Sequence, residues 1–108
     1  MIDLTLITGF DWDEGNSRKS TQKHNVIQSE AEQVFFNQPL LLLDDPRHSQ
    51  NEARHHALGK TGDGRLIHVT FTLRNMETLI RVISARDMNQ KERDIYEQTN
   101  DRNSKLQH

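Results

Sequence analysis

The stretch Leu79–Arg86 reads Leu-Ile-Arg-Val-Ile-Ser-Ala-Arg, and the rest of the predicted fold is built around it. Its leucine, isoleucine and valine residues predict a sheet strand, because β-branched side chains pack well on a pleated surface. Two arginines interrupt the apolar pattern, and an unpaired buried charge is strongly unfavourable. Arg81 and Arg86 must therefore reach solvent, pair with an acid or face a pocket.

Strand geometry decides whether these two arginines can share a site. Side chains alternate between the two faces of a strand, so regular spacing places Arg81 and Arg86 on opposite faces. They converge only if the strand bends, bulges or ends between them. The sequence leaves both readings open: solvated arginines at a strand edge or end, or two cations that face one ligand.

A β-hairpin precedes this strand. Its turn is Thr61–Gly64, Thr-Gly-Asp-Gly, whose glycines supply the positive φ angles of a hairpin turn. The turn joins predicted strands at 53–60 and 65–72, and a second polar turn at 74–77 leads into Leu79–Arg86, so the three strands form an antiparallel meander. In the second arm the residues facing one side are Ile67, Val69 and Phe71, and those facing the other are Leu66, His68, Thr70 and Thr72.

Upstream of the hairpin the pattern predicts a strand followed by two helices. Residues 2–8 alternate as a strand does, and a polar helix capped by Asp13 extends to about His24. A short second helix has a capping-box pattern, in which Ser29 is followed three residues later by Glu32.

The remaining segments complete an α+β domain. Leu40–Leu43 is an apolar run typical of a strand buried on both faces, and Asp87 caps a C-terminal helix. Residues 99–108 have no apolar stripe and predict a flexible polar tail. We therefore expect one domain at 1–98: an N-terminal strand, two helices, an antiparallel meander of about four strands and a C-terminal helix, with the helices on one sheet face.

Composition narrows the function classes. The 108 residues contain no cysteine, which excludes disulfides and cysteine-based metal sites and favours a reducing cytoplasm. No run approaches the roughly 20 apolar residues of a membrane helix, so no membrane association is expected. The net charge of −2 argues against a general nucleic-acid binder, although basic residues and histidines cluster in the middle of the chain.

Each isolated candidate for chemistry has a structural alternative. The six histidines include no His-x-x-x-His pair, so solvated histidines are favoured over a metal site. Trp12, two residues after Phe10, either stacks on a nucleobase or belongs to the core. Lys23 and His24 either bind a phosphate and move a proton, or are cations favoured by a helix C-terminus.

Taken together, the motifs resemble the BrnT family of type II toxins. They keep their order and spacing over most of residues 10–97. They are Phe10-x-Trp12-Asp13-Glu14, Lys23-His24-x-Val26, Glu30-Ala31, Val34-Phe35, the hairpin, Arg81-Val82-Ile83-Ser84-Ala85-Arg86 and Glu92-Arg93-x-x-Tyr96.

The resemblance implies a RelE-like fold and a cytoplasmic endoribonuclease that cleaves RNA without a metal ion or cofactor and so inhibits translation. It also implies a partner, a BrnA-like antitoxin with a ribbon-helix-helix region that neutralises the toxin. The two would form a heterotetramer, and contact with operator DNA would occur only through the antitoxin.

Metal-free RNA cleavage needs a base, an acid and cations around the phosphate. Arg81 and Arg86 are the predicted phosphate clamps, because a planar guanidinium matches two phosphate oxygens. The other catalytic candidates are Lys23, His24, Glu52 and Arg65. The candidates for RNA binding are Trp12, Lys19, Lys23 and Arg65. The competing hypothesis is a catalytically inactive module that binds antitoxin or regulates.

Overall fold

The computed structural model describes residues 2–15, 24–48 and 52–106. The strands and the complete α-helices in this part of the chain are β1 (Gly9–Phe10), α1 (Gln28–Val34), β2 (Leu41–Asp45), β3 (Arg54–Lys60), β4 (Leu66–Arg74), β5 (Leu79–Asp87) and α2 (Gln90–Leu106). Short 3₁₀ turns lie at Leu4–Leu6 and Pro46–His48. None of the described helices is long and apolar enough to cross a membrane.

The strands form one mixed sheet in the order β1-β5-β4-β3-β2. β2 to β5 pair antiparallel with their neighbours, whereas β1 pairs parallel with β5. The predicted α+β class, the hairpin and the strand over Leu79–Arg86 are confirmed.

A bulge in β5 places its two arginines on the same face. Phe71 pairs with Val82 and Thr70 pairs with Ser84, so Ile83 is an extra residue in the ladder. Because the side-chain period is two, this insertion reverses the faces of all residues after it. Arg81 lies opposite Thr72 and Arg86 lies opposite His68, and both partners belong to one face of β4.

The other face of the sheet carries the main apolar core under α1. The fully buried residues there are Val26, Ala31, Val34, Ala57, Ile67, Val69, Phe71, Ile80, Val82 and Ala85. Gly59 on β3 permits the close approach of α1, because a Cβ at this position would lie 2.7 Å from Val34 Cγ1 and 3.0 Å from the Val34 carbonyl oxygen.

α2 packs on the opposite face from α1, so the prediction that the helices share one sheet face is wrong. Strand alternation turns Leu58 of β3 away from the main core, where it forms a small apolar cluster with Met88 and Tyr96. The Tyr96 hydroxyl donates to the Pro39 carbonyl oxygen over 2.7 Å. This cluster and hydrogen bond hold α2 against the sheet.

The N-terminal segment differs from its prediction. Residues 2–8 form no strand; the Asp3 carboxylate instead accepts the Thr5 N–H over 3.0 Å and caps the 3₁₀ turn. The N-terminal strand is limited to β1, whose flanks are held by backbone hydrogen bonds from Thr8 to Thr78 and from Asp11 to Ile80.

β2 is also less buried than its four leucines predicted. It begins at Leu41, one residue later, and it is the edge strand of the sheet, with Leu43 43% exposed. The prediction that this strand is buried on both faces is therefore wrong, because a sequence run cannot show which strand lies at an edge.

Both described helices begin at residues other than those predicted. α1 starts after Ile27, whose N–H donates to Glu30, so the predicted capping box of Ser29 and Glu32 lies two residues too late in the chain. α2 has a capping box of Asn89 and Glu92, in which each side chain accepts from the backbone N–H of the other residue.

The other predicted elements are described only in part. The predicted helix from Asp13 to about His24 falls mainly on 16–23, which lie outside the described residues; Glu14, Gly15 and His24 are helical. α2 continues to Leu106 and so covers most of the range predicted as a tail.

Candidate active site

The face of the sheet beside α2 is lined with polar side chains. Because paired residues on neighbouring strands point to the same face, three polar side chains lie side by side there: His56 of β3, Thr70 of β4 and Ser84 of β5. The neighbouring register places His68 beside Arg86. We call this surface the polar face; its further members are Asp45, Thr72, Arg54 and Arg81.

His56 lies in a chain of hydrogen bonds on the polar face. Its Nε2 is 2.9 Å from Asp45 Oδ2, and its Nδ1 is 3.1 Å from Thr70 Oγ1. A carboxylate only accepts hydrogen bonds, so we assign the imidazole proton to Nε2 and the acceptor lone pair to Nδ1. Asp45 thus fixes the ring orientation and leaves Nδ1 to accept a hydroxyl proton.

His68 stacks on His56 with ring centroids 4.8 Å apart. Burial lowers the pKa of His68 to about 4, with Arg86 and His56 adding to the decrease and Glu92 opposing it. The ring is therefore neutral at pH 7. Its Nδ1 atom is buried and finds no hydrogen-bond partner among the described residues.

Arg86 forms a two-pronged ion pair with Glu92 in the first turn of α2. The Nη1–Oε1 and Nη2–Oε2 distances are 2.8 and 2.9 Å, and Nη1 also donates to the Asp87 carbonyl oxygen. Burial by itself raises the pKa of Glu92, but hydrogen bonds from Arg86 and Asn89 outweigh it and hold that pKa below its usual value. Within the described contacts, two of the five guanidinium N–H groups of Arg86 are left to donate to a ligand.

A cavity of about 350 Å³ opens between the polar face and α2. Its walls include His56, His68, Arg86 and Glu92, so it brings the stacked imidazoles and the ion pair to one concave surface. A concave site with few convergent polar groups and a perturbed histidine pKa is the usual form of a binding or active site.

Arg81 lies on the polar face but away from this cavity. Four residues of strand lie between it and Arg86, which places the two Cα atoms about 15 Å apart. Its guanidinium is paired with Asp13 at 2.6 Å and Asp11 at 3.4 Å, and its side chain is 25% exposed. Arg81 and Arg86, the predicted phosphate ligands, thus lie on the same face but too far apart to contact the same phosphate atom.

Arg65 and His24 lie together at the end of the sheet, on the side of α1. Arg65 donates to Asp87 at 2.7 Å, to Glu30 at 3.0 Å and to the Asn25 carbonyl oxygen at 2.9 Å. It also donates to the His24 carbonyl oxygen at 3.5 Å. Hydrogen bonding to Asp87 raises the pKa of Arg65 and lowers that of Asp87. Arg65 therefore links the segment at 24–25, helix α1 and the end of strand β5.

The other predicted site residues are dispersed. The Trp12 indole N–H donates to Glu32 at 2.8 Å, and its ring packs against the main core. Glu52 forms an ion pair with Arg74 at 2.9 Å, and both side chains are nearly half exposed. Lys19 and Lys23 lie outside the described residues.

Comparison with known proteins gives the family. Residues 12–92 match the family model described as the ribonuclease toxin BrnT of type II toxin-antitoxin systems. The chain belongs to this family. The predicted resemblance is thereby confirmed, and a type II toxin has an antitoxin as its partner.

A solved BrnT structure has a similar fold. The crystal structure of the Brucella abortus ribonuclease toxin BrnT superposes with a TM-score of 0.57 at 21% sequence identity. The superposition covers 77% of this chain and 99% of the Brucella chain. No curated protein matches this chain.

Sequence reasoning missed several residues of the cavity in this BrnT-family chain. From the sequence, His56 and His68 are only possible metal ligands or part of a basic cluster, and Asp45 and Glu92 have no predicted role in the site. A usable signal was present in β4, where His68 and Thr70 alternate with apolar residues. Polar side chains on the second face of a central strand indicate either a solvated surface or a site, and only the structure shows that they are buried.

Proposed function

We propose that this BrnT-family toxin cleaves single-stranded RNA without a metal ion, at the cavity on the polar face. The observation that supports this most strongly is the stacked pair of His56 and His68 beside the Arg86 guanidinium. It provides a proton acceptor and a phosphate ligand on one concave surface.

In the proposed reaction, His56 is the general base. Its Nδ1 accepts the proton of the ribose 2′-hydroxyl in place of the Thr70 hydroxyl, and Asp45 stabilises the imidazolium that forms. The 2′-oxygen attacks the adjacent phosphorus, and the bond to the 5′-oxygen breaks, which leaves a 2′,3′-cyclic phosphate. The 5′-oxygen takes a proton from an acid, for which His24 is the candidate predicted from the sequence, with Lys23 as an additional positive charge.

Arg86 is the proposed phosphate ligand in this mechanism. Its remaining N–H groups would donate to the non-bridging oxygens, where negative charge develops in the transition state. Arg81, on the same face, would contact a second phosphate further along the RNA. Arg65 would act indirectly, because its hydrogen bond to the His24 carbonyl oxygen would hold His24 in position.

The proposed partner is a ribbon-helix-helix antitoxin of the BrnA type, which neutralises the toxin in the bacterial cytoplasm. The two would form a heterotetramer that contacts operator DNA only through the antitoxin. Family membership supports this proposal. Co-expression of such an antitoxin should restore growth to cells arrested by the toxin, and light scattering of the purified complex gives its stoichiometry.

Cleavage of a labelled single-stranded RNA in the presence of EDTA tests the proposed activity. We expect the parent to generate products that end in a cyclic phosphate, and His56→Ala to lower the rate by about 100-fold or more. His55→Ala is the matched control, since His55 is the neighbouring residue on the opposite sheet face and pairs with the exposed Asp44.

Two outcomes would contradict the proposed reaction. Loss of cleavage in EDTA, with recovery on addition of Mg²⁺, would show that a metal ion is needed. No cleavage of any RNA by the folded parent, combined with tight antitoxin binding, would instead favour the inactive binding module.

A further inference from the structure

The cavity beside α2 has features that phosphate chemistry alone does not require. Beside the cations Arg86 and Lys91, its lining includes two apolar side chains that are partly exposed, Leu43 of β2 at 43% and Ile95 of α2 at 38%. Its interior presents the stacked imidazoles, and one wall presents the ion pair of Arg86 and Glu92. A phosphate needs cations, whereas apolar and aromatic walls are suited to a flat, largely apolar group.

We infer that this cavity is a subsite for one nucleobase of the RNA next to the cleaved phosphate. Single-stranded RNA is recognised by bases that are splayed out, stacked on aromatic side chains or guanidinium planes, and hydrogen-bonded along their edges. The cavity volume of about 350 Å³ lies within the range of small-ligand pockets. The inference rests on the proposed function, because it assigns the base that accompanies the phosphate bound by Arg86.

The wall of this subsite predicts which bases bind best. Three donors reach the Glu92 carboxylate, two from Arg86 and one from the Asn89 N–H, and two of these converge on Oε1. A carboxylate has about four acceptor positions, so Oε2 can accept one further hydrogen bond. Adenine, cytosine and guanine offer an exocyclic amino group to such an acceptor.

Uracil is the base that fits this wall least. Its one edge N–H lies between two carbonyl oxygens, and both would face the negative carboxylate of Glu92. We therefore assign to the subsite a preference for amino-bearing bases over uracil, with Glu92 as the residue that determines it.

Binding to uncleavable RNA tests the subsite separately from catalysis. The probes are 2′-O-methyl oligouridines of 11 residues that carry uracil, guanine, adenine or cytosine at the central position. We expect the parent to bind the three amino-bearing probes about tenfold more tightly than the all-uracil probe, the usual effect of one hydrogen bond to a charged group. Fluorescence anisotropy gives the four dissociation constants.

Two variants connect the preference to this cavity. Leu43→Trp should fill part of the cavity and remove the preference, so that all four probes bind with equal affinity. Leu6→Trp is the matched control, because Leu6 is also an exposed leucine but lies in the N-terminal 3₁₀ turn. Glu92→Gln should reduce the preference and can still form the capping box of α2.

The outcomes separate this inference from the proposed function. Equal affinity of the parent for all four probes, or a preference that persists in Leu43→Trp, would overturn the nucleobase subsite even if unmodified RNA is cleaved. A preference that Leu43→Trp removes, in a protein that cleaves no RNA, would support the subsite and overturn the proposed ribonuclease reaction.

Discussion

The two faces of strand β4 are buried to a similar extent and differ completely in chemistry. Under α1 lie Ile67, Val69 and Phe71, and on the polar face lie His68, Thr70 and Thr72, and all six are at most 8% exposed. The first face contributes to a cluster of ten buried apolar residues, whereas the cluster that holds α2 on the second face contains three among the described residues. Stability therefore comes mainly from the face under α1.

The buried polar residues of the second face need a physical explanation, because they stabilise the fold less than apolar residues would. Burial of a polar group is unfavourable unless hydrogen bonds replace those to water, and His68 Nδ1 has no described partner. An apolar residue at this position would avoid that penalty. A role in the site is the explanation that the cavity beside these residues supports.

The largest expected effect is a core substitution on the face under α1. Phe71→Ala should lower the free energy of unfolding by about 4 kcal/mol, because it removes a fully buried aromatic side chain and leaves a cavity. Thr70→Val, at the adjacent residue on the polar face, should cost only about 1 kcal/mol, because it removes one hydrogen bond to His56 and little volume. Urea denaturation followed by circular dichroism measures both free energies of unfolding. Equal losses would show that stability does not come mainly from the face under α1.

The next effect is a dependence of stability on pH that originates on the polar face. The pKa of His68 is about 4 in the folded state, below its ordinary value of 6.5, so the unfolded chain binds more protons between these values. This contribution to stability is complete above pH 6.5 and is lost as the pH falls towards 4, by about 3 kcal/mol in total.

His68→Phe should remove this contribution and flatten the stability profile between pH 6.5 and 4. Thermal unfolding of the parent and of the variant at several pH values provides the measurement, with the parent as its own reference at pH 7. A profile as steep in the variant as in the parent would show that His68 is not the group responsible.

A smaller loss of stability is expected when Arg65, which forms ion pairs on the α1 side of the sheet, is replaced. Arg65→Met removes hydrogen bonds to Asp87, Glu30 and Asn25 and should lower the free energy of unfolding by about 2 kcal/mol, moderated by the 26% exposure of its side chain. Arg74→Met, which breaks the exposed pair with Glu52, should cost less than about 0.5 kcal/mol. Chemical denaturation of the two variants side by side tests this, and similar losses would show that Arg65 is an ordinary surface arginine.

Arg81 is also expected to contribute little to stability. Its acidic partners Asp11 and Asp13 are 39% and 53% exposed, so Arg81→Ala should change the free energy of unfolding by less than about 1 kcal/mol. Cleavage of RNA by the same variant should nevertheless fall, because the proposed second phosphate contact is removed. A large loss of stability would instead identify Arg81 as a structural residue.

Local patterns in the sequence predicted most of the sheet. The glycines of Thr61–Gly64 and the alternation of the flanking arms identified the hairpin, and the apolar pattern of Leu79–Arg86 identified β5. Predictions were wrong where the outcome depends on distant partners, as for the exposed edge strand β2 and the face on which α2 packs. The predicted strand at 2–8 was also wrong, because alternation does not reveal that the Asp3 carboxylate caps a 3₁₀ turn by accepting the Thr5 N–H.

The candidate site was predicted only in part. Arg86 was identified because it is a charge in an apolar strand, whereas His56 gave no distinctive signal and His68 gave only the polar alternation of β4. They are separated by 11 residues and meet only because β3 and β4 pair in one particular register. Sequence spacing does not reveal that register.

The strands of the meander, the family and the two arginines of β5 were all predictable from the sequence, because alternation, turn residues and motif spacing act within short segments. That Arg81 and Arg86 share a face with the histidines was not predictable, since it depends on how the strands pair. The physical reason is the bulge at Ile83, which arises in the pairing of β5 with β4 and reverses the faces of the residues that follow.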